Sequence, residues 1–388
     1  MNVSPRLGKI NPSLTLEITS RAKALKKEGV DIVSFAAGEP DFDTPAHIVA
    51  AAKAAIDAGK TRYTPAKGMP ELIAAVREKF QRDNGLEYSA AAVVISCGAK
   101  HSLFNAFQAI CSEGDEVIIP APYWVTYPEQ VRLAGAEPVY LETEESRGYG
   151  IDREKLEALV TERTRAILVS SPCNPTGAAY GREDLEFIAD LACRRDLALI
   201  SDEIYEKLVF DGFEAVSPAS LGDEVKARTI VVNGVSKTYA MTGWRIGYLA
   251  APENVAKAIS SFQSHSTSNP ATPSQYAALA ALSGDQGCVE EMRRAFEERR
   301  DLMVERLNRI DGITCTVPRG TFYVFPNISG LGKTSLELAS ELLDRARIAV
   351  VPGIAFGADG NIRMSFAASA ANLNKGLDRL EEYVQTLG

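Results

Sequence analysis

The sequence has few of the residues that build metal sites and disulfide frameworks. Its 388 residues include six cysteines, none in a Cys-x-x-Cys pair, and three scattered histidines, His47, His101 and His265. Zinc sites and disulfide-rich folds need closely spaced cysteines or histidines. We therefore expect no metal site and reduced thiols, which is the usual state of cysteine in the cytoplasm.

Features of membrane and nucleic-acid-binding proteins are also missing. No segment approaches the roughly 18 consecutive apolar residues of a membrane helix, and residues 1–12 contain no apolar run of signal-peptide length. The net charge is -9, and no block of lysine and arginine is interleaved with aromatic residues. An acidic chain of this kind opposes nonspecific attraction to polyanions. The expectation is a cytoplasmic protein without membrane or nucleic-acid partners.

Short apolar segments rich in β-branched residues alternate with helix-period segments through the middle of the chain. The predicted strands cover residues 92–96, 117–120, 138–141, 166–170, 198–201, 229–232 and 245–249. Amphipathic stretches such as 100–111 and 182–195 lie between several of them. This alternation is typical of an α/β fold, with a mostly parallel sheet covered by helices on both faces.

The pattern changes after about residue 285. Predicted helices at 290–309, 335–345 and 371–386 are grouped with short predicted strands at 314–317, 322–325, 349–351 and 361–365. This grouping is of the α+β kind. Together with a predicted helix at 14–28 it suggests a small domain of residues 14–45 and 286–388. Residues 46–285 then form the large domain, and residues 1–13 an N-terminal arm.

Residues that could bind a ligand follow four of the predicted strands. Gly98, Asn174, Asp202 and Lys237 each come just after a strand of the sheet. Ligands of open parallel sheets bind at the carboxyl ends of the strands. We therefore expect these four residues to lie at one edge of the sheet, in a common site.

The cofactor pyridoxal phosphate (PLP) needs a lysine, a carboxylate and an arginine from the protein. The sequence offers Lys237, Asp202 and Arg245 for these three tasks. A lysine amine forms the Schiff base when desolvation and nearby cations lower its pKa. A carboxylate keeps the ring nitrogen protonated, and an arginine holds the phosphate. Taken singly, Lys237 is more typical of a solvated surface residue and Asp202 of a helix N-cap. Their combination favours the cofactor.

Further contacts to the same cofactor are predicted around these three residues. The turn Gly98-Ala99-Lys100 opens a predicted helix, whose backbone N–H groups can bind a phosphate. The indole of Trp124 can stack on the pyridine ring, although core packing explains this residue equally well.

Two more side chains are candidates for hydrogen bonds to the phenolic oxygen of the cofactor. Tyr205 follows Asp202 by three residues, and Asn174 stands in a turn between Pro172 and Pro175. Each residue taken alone is more often structural, since Asn-Pro commonly begins a turn.

A series of motifs resembles those of a known family. In chain order they are Ala37-Gly38-Glu39-Pro40-Asp41-Phe42, Tyr63-Thr64-Pro65, Asn174-Pro175-Thr176-Gly177, Asp202-Glu203-Ile204-Tyr205, Ser236-Lys237 with Arg245, and Asn361-Ile362-Arg363-Met364-Ser365. The set resembles the fold-type I PLP enzymes of aminotransferase class I/II, and specifically the subgroup Ib aspartate aminotransferases. The resemblance runs from Asn11 nearly to the C-terminus.

The resemblance implies a fold, a reaction and an assembly. The fold is a seven-stranded, mostly parallel sheet between helices, with a smaller α+β domain. The reaction is reversible amino transfer from L-aspartate to 2-oxoglutarate, with Lys237, Asp202 and Tyr205 as catalytic residues. The assembly is a homodimer with shared active sites, in which Tyr63 reaches the phosphate of the neighbouring subunit's cofactor.

The resemblance also implies the substrate contacts. Arg363 binds the α-carboxylate, a task suited to its planar guanidinium, and Gly38 contributes backbone contacts beside it. Trp124 and Asn174 contact substrate as well as cofactor. Lys100 takes the distal carboxylate of a dicarboxylic substrate, so it serves substrate rather than phosphate. The N-terminal residues Ser13 and Thr15 close over that carboxylate.

Three positions refine the resemblance. Residues 264–270 contain no counterpart of the arginine that crosses the dimer in subgroup Ia, which fits subgroup Ib. Gly234 stands where many relatives have a phosphate-binding serine, and Asn11 where certain prephenate-using members have a basic residue. A bifunctional aspartate/prephenate aminotransferase, another aminotransferase and a C–S lyase remain alternatives on this fold. A non-catalytic regulator would need a missing lysine or an added DNA-binding helix pair, and the sequence has neither.

Overall fold

The computed structural model describes residues 3–4, 7–12 and 14–387. Its α-helices are α1 (Leu14–Lys27), α2 (Ala46–Asp57), α3 (Pro70–Asn84), α4 (Ala99–Ile110), α5 (Thr126–Leu133), α6 (Arg153–Ala158), α7 (Arg182–Arg194), α8 (Asp223–Lys226), α9 (Glu253–Ser264), α10 (Thr272–Ser283), α11 (Gly287–Leu307), α12 (Ser335–Glu341) and α13 (Ala370–Gln385). Its strands are β1 (Val33–Ser34), β2 (Val93–Ser96), β3 (Glu116–Ala121), β4 (Glu137–Glu142), β5 (Thr164–Ser170), β6 (Ala198–Asp202), β7 (Thr229–Gly234), β8 (Gly247–Ala250), β9 (Tyr323–Val324), β10 (Ile348–Ala349), β11 (Val351–Pro352) and β12 (Ile362–Ser365). None of these helices combines the length and apolar character needed to cross a membrane.

The central sheet has seven strands in the order β2-β8-β7-β6-β5-β3-β4. Strand β8 is antiparallel to both of its neighbours, and the other pairs are parallel. The predicted α/β fold with a mostly parallel seven-stranded sheet is confirmed. Because β8 runs in the opposite direction, its amino end lies at the same edge as the carboxyl ends of the other six strands. Arg245, just before β8, is thereby brought to the edge where Asp202 and Lys237 lie.

Both faces of the sheet are buried. In β2, Val94 packs in a cluster with the apolar side of α4, whereas its neighbours Val93 and Ile95 pack in a cluster with α3. Alternate residues of a strand point to opposite faces. A sheet covered on both faces has strands that are apolar at successive positions, which explains the continuous apolar runs in the sequence.

Two smaller sheets are built from the remaining strands. The parallel pair β1–β10 joins the N-terminal region to the C-terminal region, and β9, β11 and β12 form an antiparallel sheet. Together with α11 and α13 they enclose a cluster that contains Phe296, Phe322 and Phe366, each fully buried. These elements come from the two segments that the sequence assigns to a small domain.

The predicted strand at 314–317 was wrong. Thr314 makes only an isolated antiparallel bridge with Asn327, and no strand continues from it. Pro318 has no N–H to donate to a ladder, and Val317 is 57% exposed, so it gains little from pairing. The predicted helix at 335–345 is α12 followed by a π-helical turn, Leu342–Ala346.

The start of α4 is pressed directly against β8. A Cβ atom added to Gly247 would lie 2.2 Å from the backbone nitrogen of Ala99 and 2.3 Å from the carbonyl carbon of Gly98. Only a residue without a side chain leaves room for this approach. The glycine therefore fixes the position of the helix start relative to the sheet.

We predict that Gly247→Ala destabilises the fold by about 1–3 kcal/mol, the usual cost of forcing extra atoms into a packed region. Urea unfolding monitored by circular dichroism measures the change. Gly243→Ala is the matched control, because nothing lies within 4 Å of a Cβ at that position. Equal midpoints for the two variants would contradict the packing argument.

Candidate active site

A cavity of about 420 Å³ lies at the carboxyl edge of the sheet, between the sheet and the small C-terminal elements. It collects eleven of the predicted site residues: Thr15, Gly38, Ala99, Lys100, Trp124, Asn174, Asp202, Tyr205, Lys237, Arg245 and Arg363. Gly98 immediately precedes Ala99 at the start of α4. Tyr63 is 90% exposed and does not line the cavity. Ser13 lies outside the described residues.

The amine of Lys237 is held in the cavity by a backbone carbonyl. Its Nζ donates a hydrogen bond to the oxygen of Gly38 at 2.5 Å. Burial lowers the pKa of Lys237 to about 8, and the positive charges of Arg363 and Arg245 act in the same direction. A neutral amine is therefore accessible near neutral pH, which is what a lysine nucleophile requires.

The carboxylate of Asp202, at the end of β6, is buried and hydrogen-bonded. Its Oδ2 accepts from the hydroxyl of Tyr127 at 2.8 Å, and its Oδ1 accepts from the backbone N–H of Ile204 at 3.3 Å. Burial raises the pKa of Asp202 to about 6, while these hydrogen bonds and the charge of Lys237 lower it. A cation placed against this carboxylate would favour its charged form further.

Tyr127 is a site residue that the sequence did not reveal. It lies on α5, three residues after Trp124, and the two rings pack edge to face at 5.3 Å. Its hydroxyl also contacts the Oγ of Ser170 at 3.0 Å. Trp124 precedes the first residue of α5, so no helical spacing in the sequence indicated this pair of rings. Nothing in the sequence pointed to Asp202 as the neighbour of Tyr127.

Arg245 and the start of α4 form a cationic cradle. The backbone of Arg245 has the left-handed conformation, with φ 56°. Its Nη1 donates a hydrogen bond to the carbonyl of Thr242 at 2.8 Å. Gly98 has a φ of +91°, a conformation that favours glycine, and a Cβ there would lie 2.5 Å from Nη2 of Arg245. The first N–H groups of a helix have no partner inside it, and they attract anions. This cradle fits a phosphate ester.

Arg363 is the most deeply enclosed cation of the site. It is 2% exposed; its Nη1 donates to Oδ1 of Asn174 at 3.0 Å and its Nη2 to the carbonyl of Ala36 at 3.2 Å. The guanidinium lies 4.3 Å from the ring centre of Tyr323. Its Nε has no hydrogen-bond partner, and the described residues provide no carboxylate to balance its charge. A buried, unpaired cation is costly, so this arginine is suited to an anionic ligand.

Lys100 occupies the outer part of the cavity. Its Nζ lies 4.8 Å from the ring centre of Trp124, and burial, followed by the charge of Arg245, lowers its pKa. Lys100 also lines a second cavity of about 690 Å³ beside the N-terminal segment. There the backbone N–H and Nδ2 of Asn11 donate to the carboxylate of Glu129 at 3.2 and 3.1 Å.

The hydroxyl of Tyr205 is paired inside the protein. It lies 3.2 Å from the hydroxyl of Tyr323, a residue on β9 that also lines the cavity and was not predicted. Tyr323 packs against Arg363 as well, so it connects two predicted site residues. Its position depends on the pairing of β9 with β12, which a sequence does not display.

A lysine with a lowered pKa, a buried carboxylate, a cationic cradle at a helix start and an unpaired arginine share one cavity of an α/β fold. This arrangement defines an enzyme site for a small ligand that carries anionic groups.

Comparison with known proteins gives the family. The family model "Aminotransferase class I and II" matches residues 30–380. The aspartate aminotransferase of Geobacillus stearothermophilus is 46% identical over 390 residues, covering 99% of each chain. The probable aspartate/prephenate aminotransferase of Aquifex aeolicus is 47% identical, also with 99% of each chain covered. The chain belongs to the class I and II aminotransferases.

Solved structures agree with this assignment. The crystal structure of the aspartate aminotransferase from Rhizobium meliloti superposes with a TM-score of 0.96 at 44% identity, covering 99% of both chains. The aspartate aminotransferase from Thermus thermophilus with maleate gives 0.95 at 44% identity, covering 98% of this chain and 99% of that one. The resemblance stated from the motifs is confirmed at the level of the family and the fold.

Removing the hydroxyl of Tyr127 should raise the pKa of Asp202. A hydrogen bond to a charged group contributes about 1.5–3 kcal/mol, and one pH unit corresponds to about 1.4 kcal/mol. We therefore predict that Tyr127→Phe raises the pKa of Asp202 by roughly one to two pH units in the cofactor-free protein. Infrared difference spectroscopy of the carboxyl band, with Asp202→Asn identifying the signal, measures it. Tyr180→Phe, another buried tyrosine, should leave the value unchanged.

Proposed function

We propose that this chain is a PLP-dependent aspartate aminotransferase. It transfers the amino group of L-aspartate to 2-oxoglutarate and yields oxaloacetate and L-glutamate. The observation that carries the proposal is Arg363, a buried cation without a carboxylate partner in the described part of the chain, in the same cavity as Lys237. An α-carboxylate would supply the missing charge. The names of the relatives support the substrate.

The cavity fits the cofactor that the family uses. Lys237 would hold it covalently, Asp202 would lie against its ring nitrogen, and Arg245 with the start of α4 would bind its phosphate. Trp124 would cover the ring, and Asn174 and Tyr205 would contact its phenolic oxygen. When bound, PLP supplies an electron sink for the bond that breaks at Cα.

The chain's own groups bind and orient the amino acid and move its proton. Arg363 has a free Nε beside two hydrogen-bonded amino groups, so it can hold the α-carboxylate with its planar fork. Lys237, with a pKa of about 8, is suited to accept the proton from Cα once its amine is released. Gly38, whose carbonyl holds the Nζ of Lys237, orients that amine.

Selectivity for a dicarboxylic substrate is assigned to Lys100. It is a cation at the outer end of the cavity, and Thr15 of α1 lies on the same wall. We propose that Lys100 binds the distal carboxylate and that Ser13 and Thr15 close over it. The Thermus thermophilus structure contains maleate, itself a dicarboxylate, which supports this class of substrate.

The cavity lies between residues of the two proposed domains. Gly38 and Arg363 come from segments 14–45 and 286–388, and Asn174 and Lys237 from 46–285, and hydrogen bonds join the two sets. We propose that the small domain closes over bound substrate and excludes water. The 90% exposed ring of Tyr63 suits a contact with a second subunit, and we propose a homodimer in which it reaches the partner's phosphate site.

A bifunctional aspartate/prephenate aminotransferase is the second candidate, since some relatives carry that name. Here Asn11 pairs with Glu129 beside the second cavity. Amino transfer to prephenate at a rate close to that for 2-oxoglutarate would favour the bifunctional enzyme.

The Lys237→Ala variant should lose amino transfer. Among the described residues Lys237 alone has its amine held against Gly38. We therefore expect a decrease of kcat by more than about 10³-fold, and the variant should form no borohydride-reducible adduct with PLP. Absorption spectra with PLP and a coupled oxaloacetate assay provide the two measurements. Lys23→Ala, at another lysine that lines the cavity, is the control. Turnover of aspartate by Lys237→Ala at the native rate would exclude the proposal.

The role of Lys100 is tested by the choice of amino donor. We expect Lys100→Ala to lower kcat/KM for aspartate and glutamate by about 10- to 100-fold, the loss of one hydrogen bond to a charged group, and to leave alanine nearly unaffected. Single-turnover spectra of the half-reaction with each donor measure this. An equal loss with alanine would reassign Lys100 to cofactor binding.

A further inference from the structure

A buried polar cluster lies behind the candidate site and outside its cavity. It consists of Lys79 and Asn84 on α3, Glu206 in the turn after β6, and Asn233 on β7. Lys79 is 3% exposed, Glu206 8% and Asn233 1%. None of the four lines the 420 Å³ cavity. Nothing in the reaction described above uses them.

The carboxylate of Glu206 is the centre of this cluster. Its Oε1 accepts from Nδ2 of Asn233 at 2.8 Å and forms an ion pair with Lys79, and its Oε2 accepts from Nδ2 of Asn84 at 2.7 Å. The Nζ of Lys79 also donates to Oδ1 of Asn84 at 2.7 Å. Both oxygens and the ammonium are therefore held in fixed directions, as a buried ion pair requires.

The cluster joins the two segments that carry the proposed catalytic groups. Glu206 directly follows Tyr205 and stands four residues after Asp202, while Asn233 stands four residues before Lys237. The segments also touch beside the cluster, since a Cβ on Gly234 would lie 3.2 Å from Cδ1 of Ile204. Displacement of Glu206 would thus change the spacing between Tyr205 and Lys237.

Stability alone does not account for such a pair. Replacing a buried ion pair by apolar residues of similar volume is often neutral or stabilising, because the charges no longer need to be desolvated. Apolar side chains, however, do not impose the directions that hydrogen bonds impose. A buried carboxylate with three aimed donors is therefore better explained by orientation than by stability.

We propose that Lys79, Asn84, Glu206 and Asn233 are positioning residues for the amino-transfer reaction. They fix the segment of Asp202 and Tyr205 relative to the segment of Lys237 from the side opposite the substrate. This proposal rests on the proposed function. It adds residues that contact neither cofactor nor substrate and act only through their neighbours.

The test removes both charges together, so that neither Lys79 nor Glu206 is left as a buried ion without its partner. We expect the double variant Lys79→Met/Glu206→Leu, as holoenzyme, to lower kcat for aspartate by about 10- to 100-fold, the usual cost of misplacing reacting groups, with KM changed by less than about threefold. The midpoint of the pH titration of the cofactor absorption should also move. A merely structural role would shift the unfolding temperature alone.

A matched control removes a second buried carboxylate, which also accepts hydrogen bonds from two side chains but lies far from the site. Glu116, 7% exposed, begins β3 at the amino end of the sheet and accepts from Thr161 at 2.6 Å and Arg163 at 2.9 Å. Arg163→Met/Glu116→Leu should change the unfolding temperature and leave kcat and the titration midpoint as in the native enzyme. Loss of kcat to the same extent in the control would overturn the proposal.

A milder variant decides the question if the double variant does not fold. Asn84→Ala removes one hydrogen bond to Glu206 and one from Lys79, and it keeps the ion pair between these two residues. We expect kcat to decrease by about threefold and the titration midpoint to move in the same direction as in the double variant. If the unaltered enzyme is active and the folded variants match it in kcat and in the midpoint of the cofactor titration, only this proposal is overturned. A native chain without amino transfer would overturn the proposed function as well.

Discussion

Lys237 and Arg363 lie close together in one desolvated cleft, and the character of the site follows from that constraint. Arg363 has almost no exposure and no carboxylate partner among the described residues, and its charge contributes to the lowered pKa of Lys237. In water these charges would interact weakly, but in a desolvated cleft the interaction is strong. The lowered pKa of Lys237 and the unsatisfied guanidinium of Arg363 are therefore two results of the same desolvation. An anionic ligand bound to Arg363 would balance its charge. It would thereby also remove one cause of the lowered pKa of Lys237.

The fold brings these groups together through the direction of its strands. Six strands place their carboxyl ends at one edge, and the reversed β8 adds its amino end there. Arg245 therefore meets Gly98, although the two residues are far apart in sequence. The short C-terminal strands then bring Arg363 and Tyr323 over the same edge. Local sequence determines each strand, but only the pairing of strands produces the site.

Much of this arrangement could be predicted from the sequence. Apolar runs gave the seven strands to within two residues, because both faces of the sheet are buried. The position of Asp202 and Lys237 after strands was enough to place them at one edge. Tyr127 and Tyr323 escaped prediction, since their partners are distant in sequence and a buried tyrosine is ordinary core. The strand expected at 314–317 failed because apolar and β-branched composition does not reveal whether a partner strand is present.

The close approach of α4 to β8 has a consequence for turnover. Gly247 and Gly98 lock the helix start and Arg245 together within the large region of the chain, without help from the small sheets. The anion cradle therefore needs no residue of the small sheets. A catalyst that alternates between two half-reactions must release one product and admit another molecule while retaining its prosthetic group. In the proposed function this cradle holds the phosphate of the cofactor, so the proposed opening of the small domain would release product without releasing the cofactor.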